Sequence, residues 1–376
     1  MTPEVSIIAI GYNEEKHIIR CLESLAAQDA GNVEILFVDD GSTDGTAEKA
    51  LAFAKTDDRV RVIRQPRNMG MAAARYAGFL AGRGAWITFV DADDRLTPDA
   101  VSFALACAKE NAYDVVEFGM ELVPDEDNPP DDERFRSLVK RFQSEDRTYL
   151  QCTPRVLLNA GLRTREITWN LVHKLYRREI LEKAYAFYRN EYVNDTEDML
   201  ISFGVFCHAK SYRSLSEKKY LYTIGTGLTT QGGITLSRFS RTMKDYFTIR
   251  TLLRKQGTGM SEAYADDISE GLRLVEEFQD TNVCSTVVSR MDQEDVRAFI
   301  REMSRYYTGE EMGTVLVNYF RHYVHDEIKP YIASTEECLH QTEAYAQGIL
   351  HSPSYRIGHA VTAPVRLLQK LMRRKA

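Results

Sequence analysis

Residues 89 to 99 read FVDADDRLTPD, an apolar run that ends in three clustered aspartates, Asp91, Asp93 and Asp94. Carboxylates placed so close together repel one another, so the cluster needs a cation or backbone donors to hold it. Carboxylate oxygens are the ligands that hard divalent cations such as Mg²⁺ prefer. The stretch therefore predicts a metal site at the mouth of a buried strand.

Apolar runs rich in β-branched and aromatic residues recur along the first 120 residues. Five of them are typical of strands buried on both faces: 5–10, 33–38, 60–63, 86–90 and 114–118. The segments that follow the first two runs have apolar residues at helical spacing. This βαβα alternation predicts an α/β fold with a mostly parallel, Rossmann-like sheet and flanking helices.

Acidic loops follow the second and fourth of these runs, VDDGSTDG at residues 38–45 and the aspartate cluster itself. Open α/β sheets bind ligands at the carboxyl ends of their strands, so both loops are expected at one edge. Asn13 is expected to cap the first helix. Thr97, Pro98 and Asp99 are expected to begin the helix after the aspartate cluster, as N-cap, first helical residue and first-turn acid.

The composition limits the class of protein. A chain of 376 residues predicts two domains, and its formal charge of −7 argues against nucleic acid as a partner. Its six cysteines are scattered, with no CxxC pair, and are typical of reduced thiols. The sequence shows neither a signal peptide pattern nor an apolar run of about 20 residues, so we expect a cytoplasmic protein.

The α/β domain is expected over residues 1–235, followed by a helical C-terminal domain over 236–350 that either selects an acceptor or forms a homo-oligomer. Residues 351–376 are a basic tail that contains no acid. Within it, residues 364–376 place leucines on one helical face and cations on the other. This pattern fits an interfacial helix at the inner face of the cell membrane, and equally a helix docked on the protein.

Five segments occur along the chain in a fixed order: VSIIAIGYNEEKHIIRCLESLAAQ, EILFVDDGSTDGT, NMGMAAARYAGFLAGRGAWITFVDADD, WNLVHKLYRREIL and NDTEDML. Together they resemble the family 2 glycosyltransferases of GT-A fold, which transfer a sugar from a nucleotide-sugar with inversion at the anomeric carbon. The resemblance covers roughly residues 4 to 231, and YLYTIGTGLTTQ at 220–231 resembles the family's segment that closes over the site. The five matches in order make the resemblance specific.

The resemblance implies a Mn²⁺ or Mg²⁺ ion that neutralises the leaving nucleotide diphosphate. It implies that Asp93 binds the metal directly and that Asp91 reaches the ribose or a metal-bound water. Asp94 is better explained as a turn or helix-entry residue. Asp40 matches the family's acid on the uracil ring NH, with its neighbour Asp39 in reserve.

Tyr12 matches the position where the family lays a ring against the base, and Arg75 matches its arginine near the nucleotide. Arg75 could instead pair with an acid such as Asp91 for structural reasons. Asp198 matches the family's catalytic base and Glu197 the neighbour of that base. Acids at this position also suit a helix N-terminus, which leaves a structural alternative open.

Trp169 and the cations Lys174, Arg177 and Arg178 lie in one segment. An aromatic face suits a sugar ring and cations suit a diphosphate, so Trp169 and Lys174 are candidates for binding the nucleotide-sugar. Trp169 could equally belong to the core and the cations to a solvated surface. His173, without a partner at metal-ligand spacing, is expected to be structural.

The expected function is an inverting, metal-dependent glycosyltransferase of hexosyltransferase type. The expected donor is a UDP-sugar and the expected acceptor a hydroxyl of a saccharide or lipid-linked molecule, in cell-surface polysaccharide synthesis. The alternative is a non-catalytic carbohydrate-binding or membrane-adaptor protein that kept the GT-A fold. Turnover of a nucleotide-sugar would discriminate between the two.

Overall fold

The computed structural model describes eight stretches of the chain: residues 2–125, 127–129, 145–188, 191–194, 196–225, 235–258, 262–288 and 296–319. The five cysteines within them, including Cys21 and Cys207, are unbridged thiols. The basic tail, and with it the predicted membrane contact of residues 364–376, lies outside the described residues.

Four parallel strands form one half of the sheet, in the spatial order β3-β2-β1-β4. The strands are β1 (Val5–Gly11), β2 (Val33–Asp39), β3 (Val60–Arg64) and β4 (Trp86–Asp91). Three helices connect them: α1 (Ile18–Ala26), α2 (Thr46–Phe53) and α3 (Met71–Ala81). Every strand predicted in this half is confirmed. Strands β1, β2 and β4 are buried on both faces, as predicted, whereas β3 at the edge is only partly buried.

The other half of the sheet is mixed and continues from β4 in the order β8-β6-β9-β5, with β7 paired to β9. Its strands are β5 (Arg95–Leu96), β6 (Val115–Pro124), β7 (Arg147–Tyr149), β8 (Lys174–Arg177) and β9 (Tyr212–Ile224). The helices in this half are α4 (Ala100–Glu110), α5 (Pro154–Leu158), α6 (Arg178–Ala184) and α7 (Glu197–His208). A π-helical turn at Asn159–Arg163 follows α5, and a 3₁₀ turn at Tyr185–Phe187 follows α6.

Small residues let α3 pack closely on the sheet. Ala72, Ala73 and Ala74 are buried, and a Cβ on Gly78 would lie 2.3 Å from Ile8 Cγ2. Helix and sheet can approach this closely only because glycine has no side chain. The close approach also buries Arg75, which lies on the same helix.

Two predicted helix starts are wrong. Helix α4 begins at Ala100 rather than near Thr97, because Arg95 and Leu96 pair with β9 and the Thr97 N–H donates to the Lys219 carbonyl at 3.0 Å. Asn13 does not cap α1. It has a φ of 58°, and its amide oxygen accepts from the Thr43 N–H at 2.8 Å, so it joins two loops.

The described elements after residue 235 are helical, as predicted. They are α8 (Leu236–Thr258), α9 (Ala265–Val288), α10 (Val296–Met303) and α11 (Gly309–Tyr319), with a 3₁₀ turn at Glu262–Tyr264. The chain divides into two compact units, one of residues 1–232 and 248–274 and the other of 233–247 and 275–376. The second unit has its own apolar core, which includes Phe239, Phe299 and Met303. The domain limits at 235 and 350 remain predictions.

Candidate active site

The carboxyl ends of three neighbouring strands meet at one edge of the sheet. Gly11 at the end of β1 pairs in register with Asp39 at the end of β2, and Ile10 pairs with Asp91 at the end of β4. A Cβ on Gly11 would lie 2.6 Å from Ala92 Cβ, so the aspartate loop passes directly beside β1. The chain reverses its strand order between β1 and β4, and this is where open α/β sheets bind ligands.

The three clustered aspartates have different surroundings. Asp91 Oδ1 accepts from Arg75 Nη2 at 2.6 Å, and the side chain is 23% exposed. Asp93 is partly exposed, and its backbone carbonyl accepts from Thr223 Oγ1 at 2.6 Å. Asp94 is buried, and burial raises its pKa well above the ordinary range. Burial favours the neutral form of Asp94, and the Asp91 carboxylate is paired with Arg75, which reduces the repulsion within the loop.

Asp94 fastens the aspartate loop to strand β9. Its two carboxylate oxygens accept from the Tyr220 hydroxyl at 2.6 Å and from the Thr223 N–H at 2.7 Å. These contacts agree with the expectation that Asp94 is a structural residue of the turn. Tyr220 and Thr223 were not singled out from the sequence, although both lie in the 220–231 segment that resembles the family's closing segment. Residues 226–231 of that segment lie outside the described residues.

Arg75 joins the aspartate loop to helix α7. Its guanidinium is buried and forms ion pairs with Asp91 and with Glu197. Burial alone would lower the pKa of Arg75, but the two carboxylates outweigh it and raise the pKa. The structural alternative for Arg75, an ion pair with Asp91, is therefore observed. Glu197 is a second partner.

Helix α7 carries both acids of the predicted base motif in its first turn. Thr196 precedes them with a φ of 60°, a left-handed conformation that is unusual for a β-branched residue. Glu197 is buried and Asp198 is partly exposed. Burial raises the pKa of both carboxyl groups above the ordinary range, although Arg75 opposes it. A raised pKa makes a carboxylate a better proton acceptor near neutral pH.

Asp40 is buried beside the turn that leads into α3. Its two carboxylate oxygens accept from the Met69 N–H at 2.7 Å and from the Gly70 N–H at 2.9 Å. Burial raises the pKa of Asp40 to about 6, and the two backbone hydrogen bonds only partly offset it. Tyr12 follows β1 with 42% of its surface exposed, so its ring is available to a ligand at this edge.

Lys174 belongs to a buried ionic network rather than to an exposed cationic surface. Its amino group contacts Glu117 at 3.3 Å, donates to Thr168 Oγ1 at 2.7 Å and donates to the Asn170 carbonyl. Burial lowers the pKa of Lys174 despite the attraction of Glu117. Glu117, which the sequence did not single out because it lies within a strand-like run, thus helps to fix residues 168–170.

Trp169 lies within that fixed segment and is partly exposed. Its carbonyl accepts from Ser202 Oγ of α7 at 2.5 Å, and the Arg165 guanidinium lies 5.1 Å from its ring centroid. Ser202 and Asp198 are four residues apart and share one face of α7. The backbone of Trp169 is therefore held against the helix that carries Asp198.

Arg177 and Arg178 lie at the wrong end of the sheet to bind a diphosphate. Arg177 pairs in register with Trp86, the first residue of β4, and Arg178 Nε donates to the Gly84 carbonyl at 2.6 Å. A strand rises about 3.3 Å per residue, so Asp91 lies roughly 16 Å away along β4. The diphosphate interpretation is wrong for these two arginines.

His173 is structural, as expected from its spacing. It is buried, its ring nitrogens hydrogen-bond to the Phe118 carbonyl at 2.7 Å and to Thr168 Oγ1 at 3.0 Å, and burial lowers its pKa to about 4.

No group of three or more His, Cys, Asp or Glu side chains within the described ranges is arranged to hold a metal ion. Two carboxylates are nevertheless a sufficient protein contribution for Mg²⁺ or Mn²⁺, because substrate phosphates and waters commonly complete the coordination. Asp91 and the partly exposed Asp93 supply such hard oxygen donors from one loop. These residues fit a cation that is bound together with a diphosphate.

None of the described helices combines the length and apolar character needed to span a bilayer.

The fold and these residues define an α/β protein whose candidate ligand site lies at the carboxyl edge of its parallel strands. Residues 6–163 match the family model described as glycosyl transferase family 2, so this part of the chain carries a domain of that family. The predicted family resemblance is thus confirmed.

Curated relatives match this chain as well. The chain is 34% identical over 225 residues to the uncharacterized glycosyltransferase EpsJ of Bacillus subtilis (strain 168), covering 59% of this chain and 61% of EpsJ. It is 44% identical over 97 residues to the succinoglycan biosynthesis protein ExoO of Rhizobium meliloti (strain 1021), covering 26% of this chain and 27% of ExoO. The chain thus spans less than two thirds of these relatives' length.

Among solved structures, the chain resembles residues 1–349 of S. aureus TarS, crystallised in complex with UDP-GlcNAc. The TM-score is 0.55 at 20% identity, and the match covers 98% of this chain and 92% of that chain. Likeness at this identity concerns the fold. It confirms the predicted GT-A arrangement, a sheet with flanking helices followed by a helical region.

Proposed function

We propose that this protein is an inverting, metal-dependent glycosyltransferase that moves a sugar from a UDP-sugar to an acceptor hydroxyl. The observation that carries the proposal is the buried bridge of Arg75 between Asp91 and Glu197. The bridge brings the candidate metal loop and the candidate base helix to one place. The fold likeness to TarS, which was crystallised with UDP-GlcNAc, supports a uridine donor.

Donor binding is assigned to the edge formed by β1, β2 and β4. Tyr12 offers an exposed ring for the base, and Asp40 lies beside the same edge for the uracil NH. Asp93 and Asp91 would hold Mn²⁺ or Mg²⁺, which when bound neutralises charge on the departing diphosphate. Arg75, already paired with Asp91, orients that carboxylate for this task.

Proton removal is assigned to Asp198. Attack by an acceptor hydroxyl from the face opposite the leaving group inverts the anomeric carbon and requires a carboxylate that takes the hydroxyl proton. Asp198 is partly exposed and has a raised pKa because of burial, which suits a base. Glu197, held by Arg75, fixes the first turn of α7 and hence the direction of Asp198. Trp169, whose carbonyl accepts from Ser202 Oγ of α7, is assigned to the sugar ring of the nucleotide-sugar.

The acceptor is proposed to be a saccharide or lipid-linked molecule in cell-surface polysaccharide synthesis. This proposal follows from the matches to EpsJ and to ExoO, a succinoglycan biosynthesis protein. A cytoplasmic enzyme at the inner face of the membrane would have access to both substrates.

Calorimetric titration of UDP with Mn²⁺, and then with chelator, tests the donor and metal assignments. Asp93→Ala should abolish the metal-dependent part of UDP binding, whereas Asp198→Asn should bind UDP normally and fail to transfer sugar from a panel of UDP-sugars. Asp266→Asn is the matched control, because Asp266 is also a first-turn acid but belongs to α9.

Normal turnover of a UDP-sugar by Asp198→Asn would reject Asp198 as the catalytic base. UDP affinity that is unchanged by the chelator would reject the proposed dependence of UDP binding on a metal ion. If the wild-type protein binds UDP and carbohydrate but turns over no UDP-sugar, the carbohydrate-binding alternative gains support.

A further inference from the structure

The segment of residues 191–194, just before α7, docks on the N-terminus of α3. The Val193 carbonyl accepts from the Ala72 N–H at 3.3 Å, and Asn194 Oδ1 accepts from the Met71 N–H at 3.3 Å. The first amides of a helix have no partner within the helix, so these two bonds satisfy groups that would otherwise need water. The backbone of the segment is thereby fixed on α3.

Gly70 is the contact point between this segment and Asp40. Its φ is 89°, and a Cβ there would lie 3.0 Å from the Val193 carbonyl oxygen and 3.4 Å from Tyr192 Cε2. The Tyr192 ring therefore rests against the backbone of Gly70. The Gly70 N–H in turn donates to Asp40 Oδ2 at 2.9 Å. Tyr192 and the proposed uracil-binding acid contact the same residue from different loops.

Tyr192 remains 40% exposed despite that contact. Of the tyrosines that the structure describes, two others are comparably exposed: Tyr12 at 42% and Tyr264 at 37%. Tyr12 lies at the end of β1 and is already assigned to the base. Tyr264 lies in a short 3₁₀ turn and has no place in the proposed site.

We propose that Tyr192 is a nucleoside-binding residue, whose exposed ring packs against the base or ribose of the donor beside Asp40. This inference rests on the proposed function. An aromatic ring stacks on any base because every base has a π-face, so Tyr192 contributes affinity while Asp40 contributes choice of base. Tyr192 precedes α7, and the proposed base Asp198 lies in the first turn of that helix, six positions further along the chain.

Calorimetric titration of UDP with Mn²⁺ into the full chain tests the inference. Loss of a ring that stacks on a base costs enough to raise the dissociation constant about fivefold or more in Tyr192→Ala. Tyr192→Phe keeps the ring and should bind like wild type. Tyr264→Ala removes an equally exposed tyrosine and should also bind like wild type. Circular dichroism confirms that each variant is folded.

Tyr192→Leu is the second variant, because it keeps an apolar side chain but removes the aromatic face, and it should weaken UDP binding likewise. Unchanged UDP affinity in Tyr192→Ala or in Tyr192→Leu overturns the inference. If wild type itself fails to bind UDP, the proposed donor is rejected and this inference with it. Normal wild-type binding with unchanged variants rejects only the role of Tyr192.

Discussion

Replacing Arg75 by methionine tests whether its two ion pairs hold the site together. The Arg75 side chain is 3% exposed, Glu197 4% and Asp91 23%, so the substitution leaves one fully buried carboxylate and one partly buried carboxylate unpaired. Breaking a buried ion pair by removing one partner costs about 3–5 kcal/mol of unfolding free energy. Because Asp91 retains access to water, most of the loss should come from Glu197.

A second substitution checks that explanation. Adding Glu197→Gln to Arg75→Met removes the uncompensated buried charge, and the double variant should recover about 2 kcal/mol, within the range measured for contacting residues. Lys109→Met is the matched control. Lys109 pairs with Glu4 at 2.5 Å, but the two side chains are 53% and 37% exposed. Its loss should cost about 0–1 kcal/mol.

The assay is urea unfolding followed by tryptophan fluorescence. The two tryptophans, Trp86 and Trp169, both lie in the compact unit that contains Arg75, so the signal reports that unit. An Arg75→Met variant as stable as Lys109→Met, or a double variant no more stable than Arg75→Met, would refute the reasoning. Either result would mean that the bridge contributes little to the fold.

The remaining predictions concern packing and pH. Gly78→Val should destabilise the protein by about 1–3 kcal/mol, because its Cβ would lie 2.3 Å from Ile8 and 3.2 Å from Val38; Gly31→Val, with nothing within 4 Å, is the control in the same urea assay. Burial raises the pKa of Asp40 from 3.8 in its ordinary state to about 6, so the folded state binds the proton more tightly and the Asp40 contribution to stability falls as pH rises through that window. The unfolding free energy of Asp40→Asn should lack this contribution. If the unfolding free energies of wild type and Asp40→Asn change in parallel between pH 4 and 6, this prediction is contradicted.

The sequence by itself determined the parallel half of the sheet. Runs such as 33–38 and 86–90 have no polar face, so their only stable place is between two layers of helices. The order of the motifs then placed Asp40 after the second strand and Asp91 and Asp93 at the end of the fourth, and parallel strand direction brings such loops to one edge. The family assignment followed from that order rather than from any single residue.

Only the tertiary structure decided which side chains share a partner. Lys174, Arg177 and Arg178 look alike in sequence, yet the register of β8 against β4 buries Lys174 with Glu117 and carries the two arginines to the far end of the sheet. Arg75 and Glu197 are separated by 122 positions, and they meet because α3 and α7 lie against each other in the fold. Spacing within one segment sets which way a side chain points along its element. Contacts between distant segments depend on how those elements pack.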